Sequence, residues 1–237
     1  MLIFPAIDIQ NETCVRLYRG EMDSAEQVAD SYLAAADAFR RAGAKWIHMV
    51  DLDGACAGAR KNAHVFLEVA KQTGLHVEVG GGIRTMDDVE YYLSRGIARV
   101  VLGSAAVNDP QLVCDACALY GARIAVGIDA RNGFVATQGW LETGSVQYLE
   151  LAKAMEQAGV QTLIFTDIDR DGMLSGPALD SLCALNDAVS CDVVASGGIR
   201  DLADIRALKA AGLYGAICGR SVYKGTLSLA EAIAAAE

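Results

Sequence analysis

Residues 76–104 read HVEVGGGIRTMDDVEYYLSRGIARVVLGS, and residues 192–220 read DVVASGGIRDLADIRALKAAGLYGAICGR. Each stretch is an apolar run, a glycine cluster, an amphipathic segment closed by glycine, and a second apolar run ending in glycine and one polar residue. That is the order strand, tight turn, helix, strand, with Gly96 or Gly212 supplying the helix stop. The offset between them is 116: Arg84 matches Arg200, Gly96 matches Gly212 and Gly103 matches Gly219. The same offset carries Asp51 in VDLD onto Asp167 in TDID. Asp8 in PAIDI and Asp129 in VGIDA differ by 121, so the first half carries five extra residues in its early loop.

Working outward, short β-branched runs fall at 2–8, 46–51, 76–80, 99–103, 123–129, 162–167, 191–196 and 215–219. Between them lie helical patterns such as 24–43, 86–96, 145–159 and 201–212. The runs are continuously apolar, as expected of parallel strands covered on both faces by helices. Eight βα units in 237 residues predict an α/β fold, a closed (β/α)8 barrel, with a doubly wound open sheet as the second reading. No linker or low-complexity tract divides the chain, so residues 1–237 are expected to form one domain of two similar half-barrels, approximately 1–120 and 121–237. A half-barrel cannot bury its own sheet, and pairing two closes it.

The bulk numbers narrow the function. Apolar residues make up 53% and charged residues 21%, which suits a globular chain with a large core. A net charge of −10 argues against a nucleic-acid or acidic-membrane partner. MLIFPAIDIQ lacks a basic region and meets Asp8 too early for a signal peptide, and no window reads as a membrane span, so a cytoplasmic location is expected. The 7 cysteines show no framework of spacings and read as reduced thiols. Cys114 and Cys117 form a C-x-x-C inside a helical stretch with no second pair, so no metal is expected there. DIDRDG at 167–172 opens like a calcium loop, but its twelfth position is Ala178, so the metal is rejected and these carboxylates are expected to line the barrel mouth at the sixth strand.

In such barrels the active site lies at the C-terminal ends of the strands, where the repeat concentrates its unusual residues. Gly80, Gly81 and Gly82 end the third strand and Gly103-Ser104 the fourth; Ser196, Gly197 and Gly198 end the seventh and Gly219-Arg220 the eighth. Glycines there make tight turns, or they admit an anion to backbone N–H groups; their recurrence on adjacent strands of both halves favours two phosphate sites. One ligand with a phosphate at each end would fit both. Asp8 and Asp129 close the first and fifth strands and should face each other across the mouth, as a general acid and a general base must. One of them needs a pKa well above the ~3.9 reference, and the sequence does not show which. Thr166 sits beside the carboxylates of the sixth strand. His48 reads either as a ligand group or as a satisfied interior histidine, and Trp140 either as a stacking platform or as a cover on the core.

Together PAIDI, VRLYRG, VDLDGA, GGGIR, VLGS, GIDA, GW, TDIDRDGMLSGP, SGGIR and ICGRS make the chain resemble, nearly end to end, the histidine-biosynthesis isomerases acting on phosphoribosylformimino-aminoimidazole carboxamide ribotide. The resemblance implies an Amadori rearrangement of an aminoaldose to an aminoketose without metal or cofactor. It implies Asp8 as the base at C2 and Asp129 as the acid that opens the ribose ring, with Thr166 and Asp171 assisting. Gly81, Gly82, Gly103 and Ser104 would hold one phosphate, and Gly197, Gly198, Gly219 and Arg220 the other. Arg19 and Trp140 would lie in loops that close on the substrate. A bifunctional relative that also rearranges phosphoribosylanthranilate fits the same two sites. The cyclase of imidazole glycerol phosphate synthase is disfavoured, because it carries Cys two residues before the first-strand Asp and Lys-Gly eight residues after it, where this chain has Ala6 and Arg16-Leu17. A non-catalytic binding barrel is the third reading, and the pair Asp8 and Asp129 opposes it. With no exposed apolar stripe apparent, a monomer is expected.

Overall fold

The computed structural model describes residues 1–18, 21–137, 140 and 142–237. Eight parallel strands run β1 (Leu2–Gln10), β2 (Trp46–Asp51), β3 (His76–Gly80), β4 (Arg99–Leu102), β5 (Ile124–Arg131), β6 (Thr162–Asp167), β7 (Asp192–Ser196) and β8 (Gly215–Cys218). They pair in chain order, β1 pairs with β8, and β5 with β6, so the sheet closes as a (β/α)8 barrel. Along each strand, alternate side chains enter different layers. Phe4, Ala6, Val101, Ala125, Ile164, Val194 and Ile217 fill the barrel interior. Ile7, Ile47, Val77, Val100, Ile128, Leu163 and Val193 belong to the larger core shared with the surrounding helices. Both faces are dry, which is why the strands read as unbroken apolar runs.

The repeated turns share one construction. Thr85 caps the helix Met86–Ser94 and Asp201 caps Leu202–Ala210. In each, the carboxylate four residues after the arginine reaches back to the arginine N–H: Asp88 accepts from Arg84 and Asp204 from Arg200, at 3.1 and 2.9 Å. Gly81, Gly82, Gly197 and Gly198 all have positive φ, from 74° to 100°. A Cβ on Gly81 would strike the Asp51 carbonyl, and one on Gly198 the Gly176 carbonyl.

Two excursions depart from the expected plan. The pattern at 24–43 predicts one helix, but the chain forms two antiparallel strands, Thr13–Tyr18 against β1 and Glu21–Ala29 against Thr13–Tyr18, and the helix begins only at Tyr32, capped by Ser31. Likewise Phe134–Thr137 and Glu142–Gln147 form a hairpin on β5, so the helix expected from 145 starts at Tyr148. Local helix propensity loses to strand pairing at an available edge. Among the described residues no helix is long and apolar enough to cross a membrane.

Candidate active site

Asp8 and Asp129 sit near the C-terminal ends of β1 and β5 and line one cleft at the barrel mouth. Their surroundings differ. Thr13–Tyr18 folds back along β1, with Val15 opposite Asp8, and brings Arg16 Nη1 to 2.8 Å from Asp8 Oδ2. Asp129 accepts from Trp140 Nε1 at 2.8 Å and from the Thr166 hydroxyl, Thr166 being its register partner on β6. Burial pushes the Asp129 carboxyl above its ordinary range, against the two hydrogen bonds and the nearby His48. Asp171, in the loop after β6, is also pushed up by burial, to about 6; Arg16 opposes this, while Asp8 and Asp129 reinforce it. The carboxylate pair is therefore not symmetric: Asp8 faces a guanidinium, and Asp129 faces an indole N–H and a hydroxyl, with burial raising its pKa.

His48, on β2, lines the cleft and places Nδ1 2.8 Å from Glu78 Oε1. Trp140 does both more and less than either sequence reading: it lines the cleft and its indole N–H ties Asp129. Gly81, Gly82, Gly103 and Ser104 border the same cleft, together with Arg84. Gly197, Gly198, Gly219 and Arg220 border an adjoining depression that shares Arg16 and Asp171 with it. Arg220 Nη1 donates to the Gly172 carbonyl at 2.8 Å. Arg19 lies outside the described residues.

The glycines are not all alike. The conformation and close packing of Gly81 and Gly198 require glycine whatever the ligand. A Cβ on Gly103 would meet nothing within 4 Å, so its missing side chain leaves open space in the cleft. At the matching Gly219 that space is filled by the Arg16 guanidinium. Arg16, which sequence reasoning used only to set aside the cyclase, thus bridges Asp8 and the second glycine loop. Its signal was a cation eight residues after Asp8, meaningful only once the hairpin is known.

One expectation needs correction. Of the carboxylates in DIDRDG only Asp171 lines the mouth cleft; Asp167 and Asp169 turn to a separate depression and pair with Arg170 and Arg131. The turn after β6 causes this, because Asp171 N–H folds back onto the Asp167 carbonyl at 3.1 Å. Cys114 and Cys117 do lie in one helix, Pro110–Tyr120, where burial raises the Cys117 thiol to about 11.

A closed barrel that gathers acid/base groups and glycine loops on its C-terminal mouth has the build of a (β/α)8-barrel enzyme. The histidine biosynthesis protein family matches residues 2–228, and the chain belongs to it. A relative from Geobacillus thermodenitrificans is 50% identical over 236 residues, covering 98% of this chain and 96% of its own. One from Clostridium novyi is 45% identical over 237 residues, the whole of both chains. One from Listeria welshimeri is 48% identical over 231 residues, covering 98% of this chain and 96% of its own. All three are named 1-(5-phosphoribosyl)-5-((5-phosphoribosylamino)methylideneamino)imidazole-4-carboxamide isomerase.

Proposed function

We propose that this isomerase of histidine biosynthesis converts the aminoaldose ribotide to the aminoketose by general acid/base chemistry between Asp129 and Asp8. Asp129, its proton held by burial, protonates the ribose ring oxygen, and the ring opens to a Schiff base. Asp8, facing Arg16, takes the proton from C2, and the resulting enolamine tautomerises to the ketone. Thr166 and Trp140 hold Asp129 in place, while Asp171 and His48 complete the wall. The substrate in the relatives' name carries two 5-phosphoribosyl groups, which suits two anion sites. Gly81, Gly82, Gly103 and Ser104 would take one phosphate, and Gly197, Gly198, Gly219 and Arg220, with Arg16, the other. No metal or cofactor enters the scheme, and the working unit is a cytoplasmic monomer acting as one domain of two similar halves, approximately 1–120 and 121–237.

The observation that carries this reading is the unequal pair of carboxylates in one cleft. Purified chain, without metal or partner, should turn over the histidine-pathway ribotide; failure to do so sinks the proposal. Phosphoribosylanthranilate in a parallel assay decides whether the substrate range is wider. Asp8→Asn should lower kcat by at least about 100-fold with KM little changed.

A further inference from the structure

Among the described residues, a row of polar side chains crosses adjacent strands of the barrel beneath the mouth. In register across adjacent strands, Ala6 of β1 neighbours His48 of β2, His48 neighbours Glu78 of β3, and Glu78 neighbours Arg99 of β4. Glu78 has no exposed surface and Arg99 is 5% exposed. Glu78 Oε1 lies 2.8 Å from His48 Nδ1, and Oε2 accepts from Arg99 Nη1 at 3.2 Å. The Arg99 guanidinium also lies over the Trp46 ring, 4.7 Å from its centroid, and its Nε finds no acceptor. A buried ion pair is a poor means of stabilising a core, since apolar residues of like volume often serve as well or better. The row therefore calls for a reason other than packing.

Arginine has only donors, so Arg99 fixes Oε2 of Glu78 as an acceptor. A carboxylate held by that guanidinium offers only acceptors, so Oε1 accepts a hydrogen bond from His48 Nδ1–H. A neutral His48 then carries its hydrogen on Nδ1 and keeps Nε2 as an acceptor for the cleft that it lines. We infer that Glu78, braced by Arg99, is a positioning residue that sets the tautomer and orientation of His48 so that Nε2 accepts a hydrogen bond from the substrate. The inference rests on the isomerase site proposed above, with His48 facing the substrate.

Glutamine at position 78 keeps the shape but can accept on one side only. Its carbonyl must turn to Arg99, its NH2 then faces His48, and the imidazole is driven to the Nε2–H form. In Glu78→Gln, the His48 signals in 15N NMR at pH about 8, above the ~6.5 reference for histidine, should change from the Nδ1–H to the Nε2–H pattern. The kcat should fall at least about tenfold at nearly constant KM. Adding Arg99→Met to Glu78→Gln removes the competing donor, frees the amide to turn, and should restore both the Nδ1–H pattern and most of kcat. An unchanged 15N pattern in the single variant, or no recovery in the double, overturns the inference; so does failure of both variants to fold, which would assign the row to the scaffold. The NMR pattern is read without substrate, so it stands or falls apart from the isomerase reading. If His48→Phe turns over normally, the tautomer has no catalytic use and that part of the inference is overturned.

Discussion

Asp8 and Asp129 occupy matching ends of β1 and β5, yet one meets a guanidinium and the other an indole N–H and a hydroxyl. The Trp140 bond favours the charged form of Asp129, opposing burial. Trp140→Phe keeps an aromatic ring and removes the donor, so the Asp129 pKa should rise further. A general acid works while protonated, so the alkaline limb of the kcat/KM profile should move to higher pH. An unmoved limb would remove Asp129 as the acid. Asp171 gives a complementary signal in stability. Its folded pKa of about 6 exceeds the ordinary 3.8, so the folded chain holds this proton more tightly than the unfolded chain does. The stability it contributes is full below pH about 4 and is lost as pH rises through about 6. Relative to the native chain, Asp171→Asn should therefore gain up to about 3 kcal/mol in urea unfolding between pH 4 and pH 7.

At the level of elements, the glycine loops separate scaffold from site. Gly103 has open space around it, whereas Gly81 combines φ +100° with the Asp51 carbonyl at its back. Gly103→Ala should keep the melting temperature, since its methyl group meets no protein atom, while KM rises about tenfold through crowding of the phosphate. Gly81→Ala should instead lower the melting temperature. If Gly103→Ala leaves KM untouched, the first phosphate site is misplaced. The same distinction explains what could be read in advance. Strands such as Thr162–Asp167 were legible to the residue because burial on both faces leaves no polar alternation to confuse. Residues 24–29 were not, because Ser24, Ala25, Glu26 and Gln27 suit a helix and their strand exists only by pairing with Thr13–Tyr18. Arg16 was missed with them, its role depending on that hairpin. Glu78 stood in plain view within HVEVG, but a carboxylate in an apolar run names no partner until the register with His48 and Arg99 is known.

For the whole molecule, the repeat and the closed sheet bring two glycine loops from opposite halves to one mouth, where they share Arg16 and Asp171 between adjoining depressions. A chain of net charge −10 has no bulk attraction for a doubly phosphorylated ligand, so on the function proposed above affinity comes from engaging both proposed phosphate sites at once. Once one phosphate is seated, the second binds intramolecularly, at an effective concentration in the mM range for a short connection. By calorimetry, a non-reactive bis-phosphate analogue should bind roughly 100-fold or more tightly than ribose 5-phosphate. Gly103→Ala, which damages one site alone, should cut the bis-phosphate advantage sharply while leaving a single-phosphate ligand bound at the other site. Equal affinity of the native chain for the two ligands would mean that the loops do not act together, and the repeat would then reflect only how the barrel closes.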